Sequence, residues 1–249
     1  MSGHNRWSKI KHKKAASDAK KSSGWTKFIK EITVAARMGG ADVGSNARLR
    51  AAVDKARADN MPNDTIARAI KKGSGELEQV SYEDLIYEVY GPGGTALVVE
   101  ILTDNRNRTA SELRHLIERY HGKMAAAGSV LFQFKKKGTI AFDASLVDED
   151  KLMEQALELN ALDIQTSDGV VQVVTEPGAY LDIKETLEKK GFKAAGGEVG
   201  MVPEMTKRVE GKEAEQLAKL INGLEEHDDV QNVFSNADID DDVLEAAAG

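Results

Sequence analysis

The sequence predicts an α+β protein with three lobes: an all-helical N-terminal domain and two α/β sandwich domains, one inserted in the other. Three observations lead to this prediction. Apolar residues follow a helical period from about residue 17 to residue 75, short β-type runs with glycine-rich turns begin near residue 84, and a self-contained βαββαβ order follows. A chain of 249 residues is long enough for two or three such domains.

The helical domain is predicted over residues 1–79. Apolar residues recur at spacings of three and four across residues 17–38, which indicates a helix closed by the glycine pair that follows. Asn46 is suited to N-cap a second helix, and Pro62 is suited to open a third. The predicted core is small and rich in alanine, so these helices must approach closely.

The middle domain is predicted to be discontinuous, over residues 80–135 and 208–240. Residues 84–90 and 95–103 have the composition of strands, and Gly91-Pro92-Gly93-Gly94 between them is a turn sequence. This glycine-rich turn lacks the Lys-Ser/Thr of a phosphate-binding loop and joins strand to strand, which favours a structural turn.

Further elements of the middle domain lie on both sides of the insertion. A strand is predicted at 129–134, followed by a basic turn at Lys135–Gly138. A helix at 213–226 and a strand at 230–234 have no sheet of their own, so we expect them to complete the sheet begun at residue 84.

The inserted domain is predicted over residues 136–207 with a ferredoxin-like βαββαβ order. Its elements are a strand at 139–143, a helix at 148–159, strands at 162–167 and 170–175, a helix at 179–190 and a strand at 193–200. Residues 241–249 form an acidic tail that we expect to fray.

Charge is distributed very unevenly along the chain. Residues 1–80 hold 17 Lys and Arg against 8 Asp and Glu, whereas the other 169 residues hold 17 against 33. The first thirty residues alone carry nine cations against one acid, together with both tryptophans. Clustered cations release counterions when they meet phosphates, so this end is predicted to bind nucleic acid. The predicted contact residues are Arg6, Trp7, Lys9, Lys11, His12, Lys13, Lys14, Lys20, Lys21, Lys27 and Lys30.

Three further positions leave alternatives open. Trp25 fits the apolar stripe of its helix and is predicted to pack in the core, whereas Trp7 could stack on a base or dock against the helices. The segment Asp104–Arg108 precedes a helix, where it could form a capping cluster. Its residues Asn105, Arg106, Asn107 and Arg108 could instead form a secondary nucleic-acid contact.

Several classes of function are not predicted. The chain has no cysteine, and its five histidines show no ligand spacing, so we expect no metal and no cofactor. No nucleophile with its base, paired carboxylates or nucleotide fingerprint is evident, so we expect a non-enzyme. The apolar runs are strand-sized and no signal peptide is evident, which indicates a cytoplasmic protein without a membrane partner.

Motifs along the whole chain resemble the YebC/PmpR family, which includes relatives described as mitochondrial translational activators of cytochrome oxidase. The motifs are Gly3-His4-Asn5-Arg6-Trp7, Ile10–Lys14, Ala35–Gly40, Asn60-Met61-Pro62, Tyr87–Gly94, Thr103–Thr109, and Leu224-Glu225-Glu226 with Asp228-Asp229-Val230. The resemblance implies the same three-part, YebC-like fold. It also implies one of two roles: a cytoplasmic transcriptional regulator that binds promoter DNA, or a factor acting at the ribosome on proline-rich nascent chains.

Three hypotheses follow for function. The first is a DNA-binding transcriptional regulator that uses the first thirty residues, which we call the basic arm. The second is a ribosome-associated translation factor whose arm contacts ribosomal RNA and which relieves stalling at proline-rich sequences. The third is a protein-binding scaffold, in which the acidic domains engage a partner and the arm is incidental. No helix with a polar base-reading face is evident in residues 46–72, which favours RNA or non-specific DNA contact over specific readout.

Overall fold

The computed structural model describes residues 21–75, 81–167 and 169–240, together with Val243 and Ala246. It has the predicted α+β architecture, in which a helical domain is followed by a middle α/β domain that contains a second α/β domain as an insertion. We call residues 21–75 the head and residues 81–240 the body.

The head contains three helices that pack around a small core. They are α1 (Lys21–Gly39), α2 (Ala47–Ala58) and α3 (Asn63–Ser74). Asn46 is the N-cap of α2, as predicted: its side-chain oxygen accepts from Leu49 N at 3.0 Å. Its amide nitrogen also donates to the carbonyl oxygens of Ala35 and Gly40, at 2.7 and 2.8 Å, so one side chain satisfies backbone groups of two helices.

Close helix approach in the head depends on small residues. Ala35, Ala36, Ala52, Ala56 and Ala69 are buried in its core, and Trp25 packs against that core as predicted. A Cβ atom at Gly73 would lie 2.3 Å from the carbonyl oxygen of Thr33, so α3 could not approach α1 so closely with a larger residue there.

The middle domain is built on a four-stranded antiparallel sheet of order β3-β1-β2-β9. Its strands are β1 (Glu83–Gly91), β2 (Thr95–Thr103), β3 (Lys123–Met124) and β9 (Val230–Ser235). The helices α4 (Arg106–Arg119) and α7 (Gly211–Glu226) share its main core. Because β9 pairs with β2, the sheet is completed after the insertion, as the sequence predicted. The turn between β1 and β2 is structural, with Gly93 and Gly94 at positive φ.

The inserted domain has a four-stranded sheet of order β5-β6-β4-β7 with all neighbouring pairs antiparallel. Its elements are β4 (Phe134–Asp143), α5 (Glu149–Glu158), β5 (Asp163–Ser167), β6 (Val170–Thr175), α6 (Tyr180–Lys189) and β7 (Gly196–Pro203). The strand β6 separates β4 from β5, which is the ferredoxin-like arrangement that the βαββαβ order predicted. A parallel pair of two-residue strands, β8 (Lys207–Arg208) and β10 (Ala237–Asp238), follows on the middle domain.

Two predicted elements at the entry to the inserted domain are wrong. The strand predicted at 129–134 is absent: Leu131–Gln133 is a short 3-10 turn, and only the last residue, Phe134, is extended, as the first residue of β4. The Glu88 carboxylate accepts hydrogen bonds from the backbone N–H groups of Gly128, Val130 and Leu131. These N–H groups are therefore not available for strand pairing.

The predicted basic turn Lys135–Gly138 instead lies inside β4. Residues 134–141 pair with β7, which runs from Gly196 to Pro203 and not over 193–200 as predicted. The three lysines therefore alternate between the two faces of a strand, and their charge does not break it.

No helix in the described part of the chain is long and apolar enough to cross a membrane.

Candidate nucleic-acid interface

Most of the predicted contact residues lie outside the described part of the chain. This group comprises Arg6, Trp7, Lys9, Lys11, His12, Lys13, Lys14 and Lys20. Lys21 is the first described residue of α1, and only its place in the helix is described. Phosphate contact by these residues stays a prediction.

Lys27 and Lys30 lie on α1 and point toward the body. The Lys27 ammonium donates to the carbonyl oxygen of Glu225 at the end of α7. The Lys30 ammonium donates to the carbonyl oxygen of Asp228 at 3.0 Å and forms an ion pair with the Asp229 carboxylate. Lys30 is only 9% exposed, so the structure assigns it to an interdomain ion pair and not to the predicted phosphate contact. Cations are favoured beside the free carbonyl groups and negative dipole end of a helix C-terminus.

The Asp229 carboxylate, which is buried, is the centre of this contact. Besides Lys30, it accepts from Thr109 Oγ1 at 2.6 Å, from Thr103 Oγ1 at 3.2 Å and from Arg108 Nη2 at 3.1 Å. Burial alone would raise the pKa of Asp229, but the hydrogen bonds from Lys30, Thr109 and Arg108 outweigh it and hold that pKa well below its usual range. The carboxylate is therefore ionised and joins the head to two elements of the middle domain.

The Asp104–Arg108 segment forms the capping cluster that was one of its two predicted alternatives. The Asn105 side chain is the N-cap of α4 and accepts from Arg108 N at 3.1 Å. The Arg108 guanidinium donates to Asp104 at 2.8 Å as well as to Asp229. Arg106 and Asn107 are exposed, so a nucleic-acid contact by these two residues stays a prediction.

His227 and Tyr82 extend the same interface, and no pattern in the sequence indicates a role for either residue. His227 Nδ1 accepts from the backbone N–H of Asp229 at 3.1 Å, so its Nε2 is the nitrogen able to donate to Glu112, 3.0 Å away. Burial raises the pKa of the Tyr82 hydroxyl, the charges of Asp104 and Asp229 raise it further, and that of Arg37 on α1 lowers it. His227 is distant in sequence from Glu112, and Tyr82 is distant from the charges around it, so no local pattern could predict this arrangement.

Other cations of the head face solvent. Lys55, Arg57, Arg68 and Lys71 lie on α2 and α3, are exposed, and form no ion pair with any residue that the structure describes. Sequence reasoning missed them because it looked for cation density in the first thirty residues. The signal that could have found them is the helical period itself, since these cations occupy positions between the apolar ones. Their charged groups are therefore accessible from solvent.

Among the residues that the structure describes, no group of three or more His, Asp or Glu is placed to hold a metal ion.

Comparison with known sequences covers nearly the whole chain. The family model for the TACO1/YebC protein N-terminal domain matches residues 5–76, and the model for the TACO1/YebC second and third domain matches residues 82–237. A protein of Geobacter sulfurreducens is 53% identical over 245 residues, covering 98% of this chain and 99% of that protein. One of Treponema denticola is 52% identical over 239 residues, covering 96% and 97%. Both are named probable transcriptional regulatory proteins.

A solved structure shows the same fold. The crystal structure of a conserved hypothetical protein from Aquifex aeolicus matches with a TM-score of 0.80 and 42% sequence identity. The match covers 90% of this chain and 92% of that one.

Proposed function

Because the chain belongs to the TACO1/YebC family, we propose that it is a nucleic-acid-binding regulator of gene expression. The first form of this proposal is that the chain is a cytoplasmic DNA-binding transcriptional regulator that uses the basic N-terminal arm. The names of relatives in Geobacter sulfurreducens and Treponema denticola support the regulatory role. The proposal includes no enzymatic activity and no cofactor.

The observation that carries the proposal is the separation of charge between head and body. Residues 21–75 hold 11 Lys and Arg against 5 Asp and Glu, in a chain whose net charge is −7. Such a local excess repels itself unless a polyanion offsets it, and phosphates do so with release of counterions. The acidic body limits non-specific adhesion of the rest of the molecule.

The two classes of cation in the head divide this work. Lys27 and Lys30 hold α1 against the body, so they fix the direction in which the head presents its remaining charge. Phosphate contacts on α2 and α3 then come from Lys55, Arg57, Arg68 and Lys71, in addition to those of the arm. Contacts of this kind position a protein on nucleic acid without reading its sequence.

The second candidate is a ribosome-associated translation factor that binds ribosomal RNA and relieves stalling at proline-rich nascent chains. One observation favours it. On α3 the exposed positions include Asp64 and Ala67 beside Arg68 and Lys71, and an acid beside the cations is a poor face for reading base edges in a major groove. Structured RNA, recognised by shape and phosphates, needs no such face.

Crosslinking in growing cells separates the two candidates. The full chain is crosslinked, purified under denaturing conditions and the attached nucleic acid is sequenced, with a Lys11→Gln, Lys13→Gln, Lys14→Gln variant as control. Promoter DNA enriched over the control supports the transcriptional form. Ribosomal RNA without promoter fragments contradicts it and supports the translational form, and no enrichment of either contradicts both.

A further inference from the structure

We propose that the free edge of the inserted domain, formed by β5 and the adjoining flank of α5, binds an extended cationic segment of a partner protein as an added strand. The proposal concerns a surface that the nucleic-acid contact does not use, and it stands independently of that function.

The strand β5 is an open edge of its sheet. It pairs with β6 on one side, and within the described part of the chain no strand pairs with its other side. An edge strand presents backbone N–H and C=O groups that can pair with another chain, and proteins commonly guard such edges with Lys or Pro. The sequence of β5, Asp-Ile-Gln-Thr-Ser, contains neither, and the one backbone N–H of this strand that a side chain of its own occupies is that of Ile164, which donates to Asp163 Oδ1 at 2.9 Å.

Three large apolar side chains lie exposed beside this edge. Met153, Leu157 and Leu162 are 38%, 59% and 48% exposed. Met153 and Leu157 are four residues apart and therefore adjacent on one face of α5. That face is not the one turned toward α6, because the Lys190 ammonium contacts Gln155 and Glu158 on the opposite flank.

A tight turn leads directly from α5 to β5 and places Leu162 at the start of the edge. Asn160 N donates to the carbonyl oxygen of Leu157 at 3.0 Å, and Ala161 N donates to that of Ala156 at 2.9 Å. With Asn160 at φ 59°, this is a Schellman ending of the helix. The apolar residues at the end of α5 and at the start of β5 therefore flank one turn.

The charge around these residues specifies the occupant. Asp150 and Glu154 are exposed on α5, and Asp163 is exposed at the start of β5. Lys151, the one cation of α5, forms an ion pair with Asp148. Residues 136–207 hold 8 Lys and Arg against 14 Asp and Glu, so a second copy of this domain would bring like charge to the same edge. A basic segment has the complementary charge.

Strand addition explains why the edge and the apolar flank occur together. Backbone pairing with β5 supplies affinity that does not depend on side chains, and alternate side chains of the added strand point to the helix side of the sheet. Apolar residues at those positions would contact Met153 and Leu157. Lys or Arg on the other positions and at the ends would meet the surrounding carboxylates.

The test uses the full chain and a fluorescein-labelled peptide, Lys-Val-Lys-Leu-Lys-Val-Lys, titrated by fluorescence anisotropy. We expect saturable binding that weakens about tenfold in a Met153→Ser, Leu157→Ser variant, a loss that corresponds to about 1.4 kcal/mol. The matched control is Leu181→Ser, which truncates a leucine that is 39% exposed on α6. This control should bind as the wild type does.

Two further peptides separate strand addition from attraction of charge alone. Replacing both valines and the leucine by proline keeps every charge but prevents strand pairing, and replacing lysine by glutamate keeps the apolar pattern but reverses the charge. We expect both peptides to lose binding. Equal binding of the proline peptide, no saturable binding of the lysine peptide, or equal affinity of the serine variant would overturn the proposal. So would a dimer in analytical ultracentrifugation that the serine variant dissolves, because the occupant would then be a second copy.

Discussion

The cations of the head fall into two groups that share a domain and a chemistry but not an environment. Lys27 and Lys30 are turned toward the body, where backbone carbonyl groups and the buried Asp229 carboxylate hold them. Lys55, Arg57, Arg68 and Lys71 face solvent on α2 and α3 without ion pairs to described residues. The comparison teaches that a basic segment can serve two purposes at once. The inward group should govern stability and the outward group affinity for polyanions.

The largest expected effect is on the inward side. Changing Asp229→Ala removes the common acceptor of Lys30, Thr109 and Arg108 and leaves a buried ammonium without its counter-charge. We expect the free energy of unfolding to fall by about 3 kcal/mol, measured by urea denaturation with tryptophan fluorescence. The matched control is Asp228→Ala, at an exposed acid one residue earlier. Equal loss in the two variants would show that Asp229 has no special role.

The next effect separates the two groups of cations directly. Changing Lys30→Met keeps an unbranched apolar stem but removes the ammonium group, and we expect a loss of about 2 kcal/mol because Asp229 retains its other donors. Changing Lys55→Met on the outward side should cost less than about 0.5 kcal/mol. If both substitutions cost the same in denaturation, the inward and outward groups do not differ as the structure indicates.

A pH series tests how much the ionised Asp229 carboxylate contributes to the stability of the contact between head and body. The pKa of Asp229 is lowered in the folded chain, so its contribution to stability is fully present above its unfolded pKa of about 3.9 and is lost progressively as pH falls from that value through the lowered folded pKa. We expect the wild type to lose its advantage over Asp229→Asn between about pH 5 and pH 2, as followed by urea denaturation. A constant difference across this range would contradict the assigned cause.

The smallest effect belongs to the outward side. Replacing both Arg57 and Arg68 by alanine should weaken binding to a labelled nucleic-acid duplex several-fold. It should also reduce the slope of log affinity against log salt by about two. Unfolding should be almost unchanged, because both side chains are exposed. The control is Lys151→Ala in the inserted domain. If that body variant lost as much affinity, the head would not be the site of contact.

Local patterns allowed much of the fold to be predicted. Asn46 as a cap, the Gly91–Gly94 turn and the helical period of the head depend on residues that are close in sequence, and each was confirmed. The prediction of a strand at 129–134 was wrong because the conformation of this segment depends on the carboxylate of Glu88, which is distant in sequence.

The candidate site was less accessible to prediction for the same reason. Nothing near Lys30 in sequence indicates that its partner lies 199 residues away. Composition predicts that Lys30 will pair with an anion, but the fold determines whether that anion is a phosphate or the Asp229 carboxylate. The outward cations were missed because they are spread across two helices and do not form a run.

Salt-dependent binding of the intact chain is the most direct test of the central claim that the basic end binds a polyanion. Anisotropy titrations with a labelled duplex between about 50 and 200 mM salt should give a steep linear dependence. A Lys11→Gln, Lys13→Gln, Lys14→Gln variant should bind more weakly, with a slope smaller by about three and unchanged unfolding. An identical affinity and slope for the variant and the wild type would contradict the claim.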